Sequence, residues 1–305
     1  MKNKVYIICG PTSSGKTSLA IDLCKKYGGE IVSADSRQIC KGIDIGTGKI
    51  PVNYDFSLEE EEEVWIVDGV KVWGYDLFSL DEYFSGVDWA NYALRKTREV
   101  LDKGKNVFVV GGTGFYLDLF TDRVKPSSVK PDLELRKELE VIGLEDLQNK
   151  LRELSVEEFR KIDKYNKVRL IRAIEKNISK EKREIELPYL DIDFVWIGLK
   201  SPREFLYERA DNWVEKVWSG GLLEETKDLL KRYPDSSKLK GLVYKTVSEY
   251  LNESLDEKEA IQRIKFDLHA YIRRQQTYLK RNTDITWVDI SKDDFKQIIY
   301  NIIDG

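Results

Sequence analysis

The hydrophobic residues of this chain fall into two recurring patterns. Short, nearly uninterrupted apolar runs, such as residues 5–9 and 106–110, end in glycine. Such runs are typical of strands buried on both faces of a parallel sheet. Longer stretches such as residues 18–27 and 88–103 carry apolar residues at helical spacing, which predicts amphipathic helices. The alternation of the two patterns predicts an α/β fold with a parallel sheet and flanking helices.

Two segments depart from this alternation. Residues 64–73 have the pattern of a β-hairpin that turns at Asp68-Gly69, which we place outside the main sheet. Between Pro126 and the strand predicted at 194–199, the chain is highly charged and helical, without predicted strands. We therefore expect a helical insertion at residues 122–190 within a core formed by residues 1–121 and 191–305. The further predicted strands are residues 30–33, 194–199 and 285–289, and the further predicted helices lie at 202–218, 222–232 and 257–280.

A glycine-rich phosphate loop stands between the first strand and the first helix. It has the pattern G-x-x-x-x-G-K-T in the strand–loop–helix context that this motif requires. Its backbone N–H groups and the following helix N-terminus favour a bound anion. Lys16 adds a mobile cation and Thr17 a hydroxyl ligand for Mg²⁺. We predict that two linked phosphates bind to Gly10, Pro11, Thr12, Ser13, Ser14, Gly15, Lys16 and Thr17.

A carboxylate follows the second predicted strand. Because the carboxyl ends of parallel strands share one crevice, we expect Asp35 to lie beside the phosphate loop, as a general base or part of a magnesium shell. The alternative is that Asp35 caps the next turn. The glycine-rich residues 41–51 suit a loop over the same crevice. The buried strand at 106–110 ends in glycines, where NTP hydrolases usually place a metal-binding acid, and this argues against NTP hydrolysis.

Composition and charge narrow the class of protein. The chain has 305 residues, 41% of them hydrophobic and 34% charged, and no apolar run approaches the roughly 20 residues of a membrane span. The start of the chain leaves no room for a signal peptide, so we expect a cytoplasmic monomer without membrane contact. Three cysteines without metal-ligand spacing are expected to be buried thiols, and the single histidine excludes His-rich metal sites.

Basic residues are concentrated in two stretches despite a net charge of −4. Residues 160–183 carry ten Lys or Arg against three acids, and residues 263–281 carry six against one. Together with a phosphate loop, these stretches favour binding of a polyanion. The alternative for each stretch is a solvated helix face.

Five motifs in the same order resemble those of one enzyme family. Besides the phosphate loop, S-A-D-S-R-Q at 33–38 is followed by K-G-I-D-I-G-T, G-G-T-G-F-Y lies at 111–116, R-L-I-R-A-I-E at 169–175 and Y-I-R-R-Q-Q-T-Y at 271–278. Over nearly its whole length the chain resembles the bacterial tRNA dimethylallyltransferases, also called tRNA isopentenyltransferases. The motif at 33–38 is the most discriminating, because many kinases share the phosphate loop. The resemblance implies a P-loop NTPase-like parallel sheet with flanking helices and a helical insertion domain.

The resemblance also implies a reaction and roles for individual residues. The reaction is transfer of a dimethylallyl group from dimethylallyl diphosphate to the exocyclic amine of the adenine 3′ of the tRNA anticodon. Asp35, Thr17 and Lys16 would be catalytic, with Mg²⁺ as cofactor, and Lys240 would join the phosphate loop in binding diphosphate. The residues implied to bind the tRNA anticodon stem-loop are Asp35, Ser36, Arg37, Gln38, Thr113, Arg136, Arg169, Arg172, Arg273, Arg274 and Gln275.

Several positions depart from the family pattern. The glycine and glutamate of its I-G-Y-K-E motif are Val243 and Thr246 here, and an upstream arginine is Lys240. A second arginine near Arg209 is replaced by Trp213. A lysine in place of arginine keeps the charge but loses the bidentate fork. These changes concern diphosphate contacts from the carboxyl-terminal half, and hence donor affinity and donor choice.

Three other functions remain open at this point. A prenyltransferase acting on free adenine nucleotide would share the core motifs but would not need the basic insertion. A small-molecule kinase would use the phosphate loop, but the chain has no metal-binding acid after the strand at 106–110. A non-catalytic RNA-binding module would leave the combination of Lys16, Thr17 and Asp35 without a purpose.

Overall fold

The computed structural model describes residues 3–49, 57–61, 63–179, 181 and 191–305. The chain divides into two compact units, one formed by Met1–Val124 with Leu187–Gly305 and the other by Lys125–Glu186. The borders expected from the sequence lie at residues 121 and 190. The first unit contains the whole sheet, and the second is helical.

The described residues of the first unit form one sheet in the order β3-β4-β5-β2-β6-β1-β7-β8. Its centre is parallel: Val5 of β1 lies opposite Val107 of β6 on one side and Phe194 of β7 on the other. The apolar residues of β1 and β6 are buried, as expected for a sheet covered by helices on both faces, whereas Phe194 and Val195 of β7 are partly buried. The strands are β1 (Asn3–Cys9), β2 (Gly29–Ser33), β3 (Leu58–Glu61), β4 (Val64–Val67), β5 (Val70–Trp73), β6 (Asn106–Gly111), β7 (Ile192–Lys200) and β8 (Thr286–Asp289).

The predicted hairpin forms, but it continues the main sheet. Asp68 and Gly69 both have positive φ, 53° and 77°, as a two-residue hairpin turn requires. Its second strand, β5, pairs in parallel with β2, so the expectation of a hairpin outside the sheet is wrong. The edge strand β3 has the sequence Leu-Glu-Glu-Glu and is exposed throughout, and its charges disfavour pairing with another chain.

Helices cover the sheet in the first unit and form the second. The chain-order bounds are α1 (Lys16–Tyr27), α2 (Gly86–Asp102), α3 (Gly114–Phe120), α4 (Leu133–Glu140), α5 (Leu144–Leu154), α6 (Val156–Lys161), α7 (Lys167–Ile178), α8 (Arg203–Val217), α9 (Leu223–Arg232), α10 (Leu242–Leu251), α11 (Glu257–Leu279) and α12 (Phe295–Asp304). Capping boxes at Ser85 and Asp256 fix the starts of α2 and α11. Helix α3 was not predicted, because so short a segment shows no helical periodicity. No helix in the described ranges combines the length and apolarity needed to cross a membrane.

The second unit has its own small apolar core around a buried charge. The buried core residues are Leu139, Leu147, Leu151, Phe159, Leu170, Ile171, Ala173 and Ile174. The Glu175 side chain is fully buried and accepts hydrogen bonds from both Arg136 and Arg172, and from the Asp132 N–H at 2.6 Å. Burial raises the pKa of Glu175, but the two arginines outweigh this effect and leave its pKa below the ordinary value.

Replacing this buried carboxylate should destabilise the second unit. We expect Glu175→Ala to cost about 3 kcal/mol, because two arginines and a backbone N–H lose their shared acceptor. Amide hydrogen exchange across α4 to α7 would measure the loss, and Glu138→Ala, an exposed glutamate on α4, is the matched control. Because the pKa of Glu175 is lowered, its contribution is present above pH 4.5 and is lost as the pH falls further. Equal protection in both variants would contradict the assignment.

Candidate active site

The carboxyl ends of three strands meet at a cavity of about 720 Å³. Because β6 pairs in parallel with both β1 and β2, the loops that follow these strands leave from the same edge of the sheet. Lys16 and Thr17 after β1, Asp35 after β2 and Gly111 at the end of β6 all line the cavity. Residues of α8, α10 and α11 and of the loop at 46–48 also line it. The structure thus brings together the three residues that the sequence predicts to be catalytic.

The phosphate loop presents the start of α1 to this cavity. The first hydrogen bond of the helix runs from the Leu19 N–H to the Gly15 carbonyl at 3.0 Å, and the N-cap Gly15 offers no side-chain acceptor. The N–H groups of the first turn therefore have no acceptor within the helix. They also carry the positive end of the helix dipole. Ser14 Oγ stabilises the loop by donating to the Pro11 carbonyl at 2.8 Å.

The Lys16 ammonium is withdrawn from bulk water. Nζ donates to the Pro11 carbonyl at 2.7 Å, within its own loop. Burial lowers the pKa of Lys16 to about 8, and the negative charge of Asp35 opposes this shift. Lys16 therefore changes its charge close to neutral pH, unlike an exposed lysine.

Asp35 both caps a turn and faces the cavity. Its Oδ1 accepts from the Arg37 N–H at 2.8 Å and from the Gln38 N–H at 3.4 Å. Among the described residues, no hydrogen bond to its second oxygen, Oδ2, is found. The two interpretations of Asp35 that the sequence leaves open are thus compatible, because one oxygen holds the turn while the residue lines the cavity.

Gln38 joins the Asp35 turn to a neighbouring loop. Its Oε1 accepts from Ser33 Oγ at 3.2 Å, and its Nε2 donates to the carbonyls of Thr47 and Gly48 at 3.2 and 3.1 Å. Trp89 on α2 donates from Nε1 to the Ser33 carbonyl at 2.8 Å, which fixes the end of β2. The Gln38 amide is buried and occupied at both ends, so it holds these loops together. The tRNA contact that the resemblance implies stays a prediction, since Gln38 also lines the cavity.

Gln275 joins the phosphate loop to the loop after β6. Its Oε1 accepts from the Thr12 N–H at 2.8 Å, and its Nε2 donates to the Gly112 carbonyl at 3.2 Å. The side chain is buried at the edge of the cavity, and the implied tRNA contact stays a prediction. In the same loop, Thr113 Oγ1 accepts from the Ser36 N–H at 3.0 Å and donates to Ser36 Oγ at 3.3 Å. These bonds tie together the loops that follow β1, β2 and β6.

Arg209 is a cavity residue that was not among the predicted site residues. One terminal nitrogen of its guanidinium lies 3.3 Å from where a Cβ on Gly15 would stand. It therefore places a second cation beside the phosphate loop, in addition to Lys16. A single arginine in a charged helix gives no local signal. The family motif around it, in which a second arginine is Trp213, could have identified it.

The other predicted cations of the first unit have different surroundings. Arg37 lines the cavity, and its guanidinium donates to the Lys238 carbonyl at 2.6 Å. Lys240 is exposed and, among the described residues, is not part of the cavity lining. Arg273 and Arg274 are exposed on α11, and Arg273 donates to the Tyr207 hydroxyl at 2.9 Å. The structure thus does not bring Lys240 to the phosphate loop.

The predicted cations of the second unit divide into two kinds. Arg136 and Arg172 are committed to the buried carboxylate of Glu175, and Arg172 also donates to the Val129 carbonyl at 2.8 Å. These contacts are internal to the unit, and the implied tRNA contact of both arginines stays a prediction. Arg169 on α7 is exposed, and among the described residues its guanidinium has no hydrogen bond or ion pair. Lys180, Lys182 and Arg183 of the same basic stretch lie outside the described residues.

Comparison with known proteins identifies the family. The family model described as IPP transferase matches residues 38–282. The chain belongs to the IPP transferase family. A protein of Acetivibrio thermocellus named tRNA dimethylallyltransferase is 37% identical over 315 residues, covering 98% of this chain and 96% of the relative. A Bacillus anthracis protein of the same name is 32% identical over 317 residues, covering 100% and 96%.

Solved structures of IPP transferases share the fold. The full-length tRNA isopentenylpyrophosphate transferase of Bacillus halodurans has a TM-score of 0.71 at 31% identity, covering 100% of this chain and 96% of that one. A eukaryotic dimethylallyltransferase crystallised acting on tRNA has a TM-score of 0.73 at 23% identity, covering 99% and 78%, and this likeness supports the fold alone. The predicted P-loop NTPase-like fold and the family resemblance are both confirmed.

In this IPP transferase, the lowered pKa of Lys16 should make anion binding depend on pH. A diphosphate ester is attracted to the protonated form of Lys16 and not to the neutral form. The affinity of the protein for the ester should therefore fall as the pH rises through about 8, by up to tenfold per pH unit. Calorimetric titration with methyl diphosphate between pH 7 and 9.5 would measure this, because the ester completes its own ionisation near pH 6.

Lys16→Arg is the matched control for this titration. It keeps a positive charge over the whole range and should show a nearly flat profile. A flat profile in the unsubstituted protein would show that Lys16 does not titrate near pH 8.

Proposed function

We propose that this protein transfers a dimethylallyl group from dimethylallyl diphosphate to the exocyclic N6 amine of the adenine 3′ of the anticodon in tRNA, releasing pyrophosphate. The observation that carries the proposal is one cavity with a phosphate loop on one side and the Asp35 carboxylate on the other. Membership of the IPP transferase family and full-length relatives named tRNA dimethylallyltransferase support it. No relative given above favours a nucleotide prenyltransferase or a kinase.

The proposed reaction moves negative charge onto the leaving diphosphate. The bond between the first carbon of the donor and its diphosphate oxygen breaks, the amine nitrogen bonds to that carbon, and the amine loses a proton. Negative charge grows on the departing diphosphate, where the N-terminus of α1, Lys16 and Arg209 stabilise it. Groups that favour the departing diphosphate more than the bound ester lower the barrier.

Asp35 suits the role of proton acceptor. The adenine amine is a poor nucleophile because its lone pair is delocalised into the ring, so removal of a proton during attack assists the reaction. Because Oδ1 of Asp35 is held by the turn at Arg37 and Gln38, the carboxylate is fixed in orientation. A fixed base loses little entropy on reaching the transition state.

Mg²⁺ fits this site if the substrate supplies most of its ligands. Within the described part of the chain, no group of three or more His, Cys, Asp or Glu residues is placed to hold a metal. Mg²⁺ commonly combines one or two protein ligands with water and phosphate oxygens. Thr17, which lines the cavity, would be the protein ligand. The bound ion would neutralise charge on the diphosphate.

Recognition of tRNA requires a base to leave its stack. The target adenine must turn out of the anticodon loop to reach a cavity of this depth. Ser36 and Thr113, next to Asp35, are suited to contact the extruded nucleotide. The exposed cations Arg169, Arg273 and Arg274 are suited to phosphates, which set position more than sequence. A tRNA substrate agrees with the expected cytoplasmic location.

Replacing Asp35 tests both the reaction and the base. With labelled dimethylallyl diphosphate and unmodified tRNA, the unsubstituted protein should label tRNA, whereas AMP and an ATP-only control should show no turnover. Asp35→Asn keeps an oxygen for the turn but cannot accept the proton, so transfer should fall by about 10²–10⁴-fold while tRNA binding persists. Asp35→Ala removes the cap as well. An active Asp35→Asn variant would remove Asp35 from the base role.

Salt dependence tests the exposed cations. Arg169→Ala combined with Arg274→Ala should weaken tRNA binding and make the slope of log affinity against log salt less steep by roughly 1.5. Filter binding between 50 and 300 mM KCl would give the slope. Lys161→Ala is the matched control, because this exposed lysine already pairs with Glu157. An unchanged slope would mean that these arginines belong to solvated faces.

A further inference from the structure

A short segment of the glycine-rich loop forms part of the cavity surface. Residues 44–48, here called the wall segment, contribute Gly46, Thr47 and Gly48 to the lining. The sequence predicts a loop over the crevice at residues 41–51, of which 50 and 51 lie outside the described residues. What holds this surface in place bears on the shape of the site.

One carboxylate behind the wall segment binds three successive backbone N–H groups. Glu225 Oε2 accepts from the N–H groups of Asp44 and Ile45 at 3.0 and 2.7 Å. Its Oε1 accepts from the Gly46 N–H at 3.1 Å and from the Tyr244 hydroxyl at 2.6 Å. Glu225 itself does not line the cavity. Four hydrogen bonds to one anion fix the backbone more firmly than bonds between neutral groups.

The end of the wall segment is held by a buried cation. The Lys49 side chain is fully buried, and its Nζ donates to the Cys40 carbonyl at 2.8 Å and pairs with Asp44 and Asp76. The Tyr75 hydroxyl donates to the Lys49 carbonyl at 3.1 Å. With Glu225 and Lys49 binding it, the segment is a fixed surface, not a mobile lid.

Helix α8 relates the wall segment to the phosphate loop. Arg209 lies against Gly15, and Trp213, about one helical turn further on, lies against Gly48. The Trp213 Nε1 is 3.6 Å from where a Cβ on Gly48 would stand. Helix α8 therefore contacts both the phosphate loop and the wall segment, through residues that are roughly 6 Å apart along its axis.

Close packing gives this surface its shape. A Cβ on Gly46 would lie 2.6 Å from Cζ of the Tyr244 ring, so no side chain fits between them. Trp213, Val243 and Tyr244 also line the cavity, and Trp213 and Tyr244 lie against glycines of the wall segment. The two aromatic rings, beside glycines that add no polar side chain, give this part of the cavity apolar surface that suits a hydrocarbon chain.

We propose that Glu225 is a positioning residue that fixes the wall segment as the surface against which the hydrocarbon chain of the donor lies, with Trp213 and Tyr244 completing that surface. The proposal rests on the proposed function, since it takes the donor to be a prenyl diphosphate. The wall limits chain length: a short branched chain fills the space between phosphate loop and wall, and a longer chain meets a backbone that cannot retreat. Trp213, which replaces an arginine of the family pattern, adds apolar surface where other members add charge.

The test is the discrimination between donors of different length. Glu225→Gln keeps size and shape but turns an NH₂ group towards backbone N–H donors, which releases part of the segment. The ratio of kcat/KM for dimethylallyl over geranyl diphosphate, at saturating tRNA, should fall at least tenfold. Inhibition by inorganic pyrophosphate should stay within twofold, because the phosphate loop is untouched. Glu224→Gln, the exposed neighbour on α9, is the matched control and should match the unsubstituted protein.

Two further measurements keep the outcome decisive. Trp213→Ala removes apolar surface on the α8 side of the wall segment. It should lower the same kcat/KM ratio of dimethylallyl over geranyl diphosphate, whether or not Glu225→Gln folds well. Calorimetry gives the dissociation constants for pyrophosphate and for dimethylallyl diphosphate, and their ratio measures the affinity that the hydrocarbon chain of the donor adds. Both variants should lower this ratio at least threefold.

The possible failures are distinguishable. Equal losses of activity with both donors, with the affinity ratio unchanged, would make Glu225 a merely structural residue and overturn the proposal. The unsubstituted protein could instead fail to label tRNA while the hydrocarbon chain of the donor still adds affinity and both variants reduce that gain. This result would contradict the proposed reaction but support the role of the wall segment.

Discussion

The parallel pairing of β6 with both β1 and β2 is the constraint on which the rest of the site depends. It brings the loops after three strands to one edge, although those strands are far apart in the sequence. The phosphate loop, the Asp35 turn and the Gly111–Gly112 loop can therefore act on one bound molecule. A change that weakened this pairing would separate the phosphate loop from Asp35.

Polar side chains that contact backbone hold these loops in place. Gln275 bridges the loops after β1 and β6, Gln38 bridges the Asp35 turn and the wall segment, and Glu225 binds the wall segment from behind. A neutral hydrogen bond such as those of the two glutamines adds only about 1 kcal/mol, but losing one partner leaves a buried backbone group unsatisfied at a higher cost. Fixed loops also allow Lys16 to remain desolvated beside Asp35 without collapse of the cavity.

Charge in the second unit has two separate uses. Arg136 and Arg172 satisfy the buried Glu175, so part of a strongly basic stretch is internal. Arg169 on the same helix as Arg172 remains at the surface. A chain of net charge −4 can thus offer exposed cations to RNA, because the relevant quantity is their local arrangement and not the sum.

The sequence by itself determined the α/β class, the phosphate loop, most of the strands and helices, and the family, because apolar periodicity and short motifs are local properties. It also predicts chemical roles for Lys16, Thr17 and Asp35 from residue type and position after a strand, and these three residues line one cavity in the structure. Tertiary structure alone decided that the hairpin extends the sheet, that Gln38 and Gln275 bind loops, and that Arg209 faces Gly15 while Lys240 lies outside the cavity. These facts depend on which distant residues become neighbours. A glutamine or an arginine has the same local pattern whether it meets a ligand, a carboxylate or a backbone carbonyl, and only folding selects among those partners.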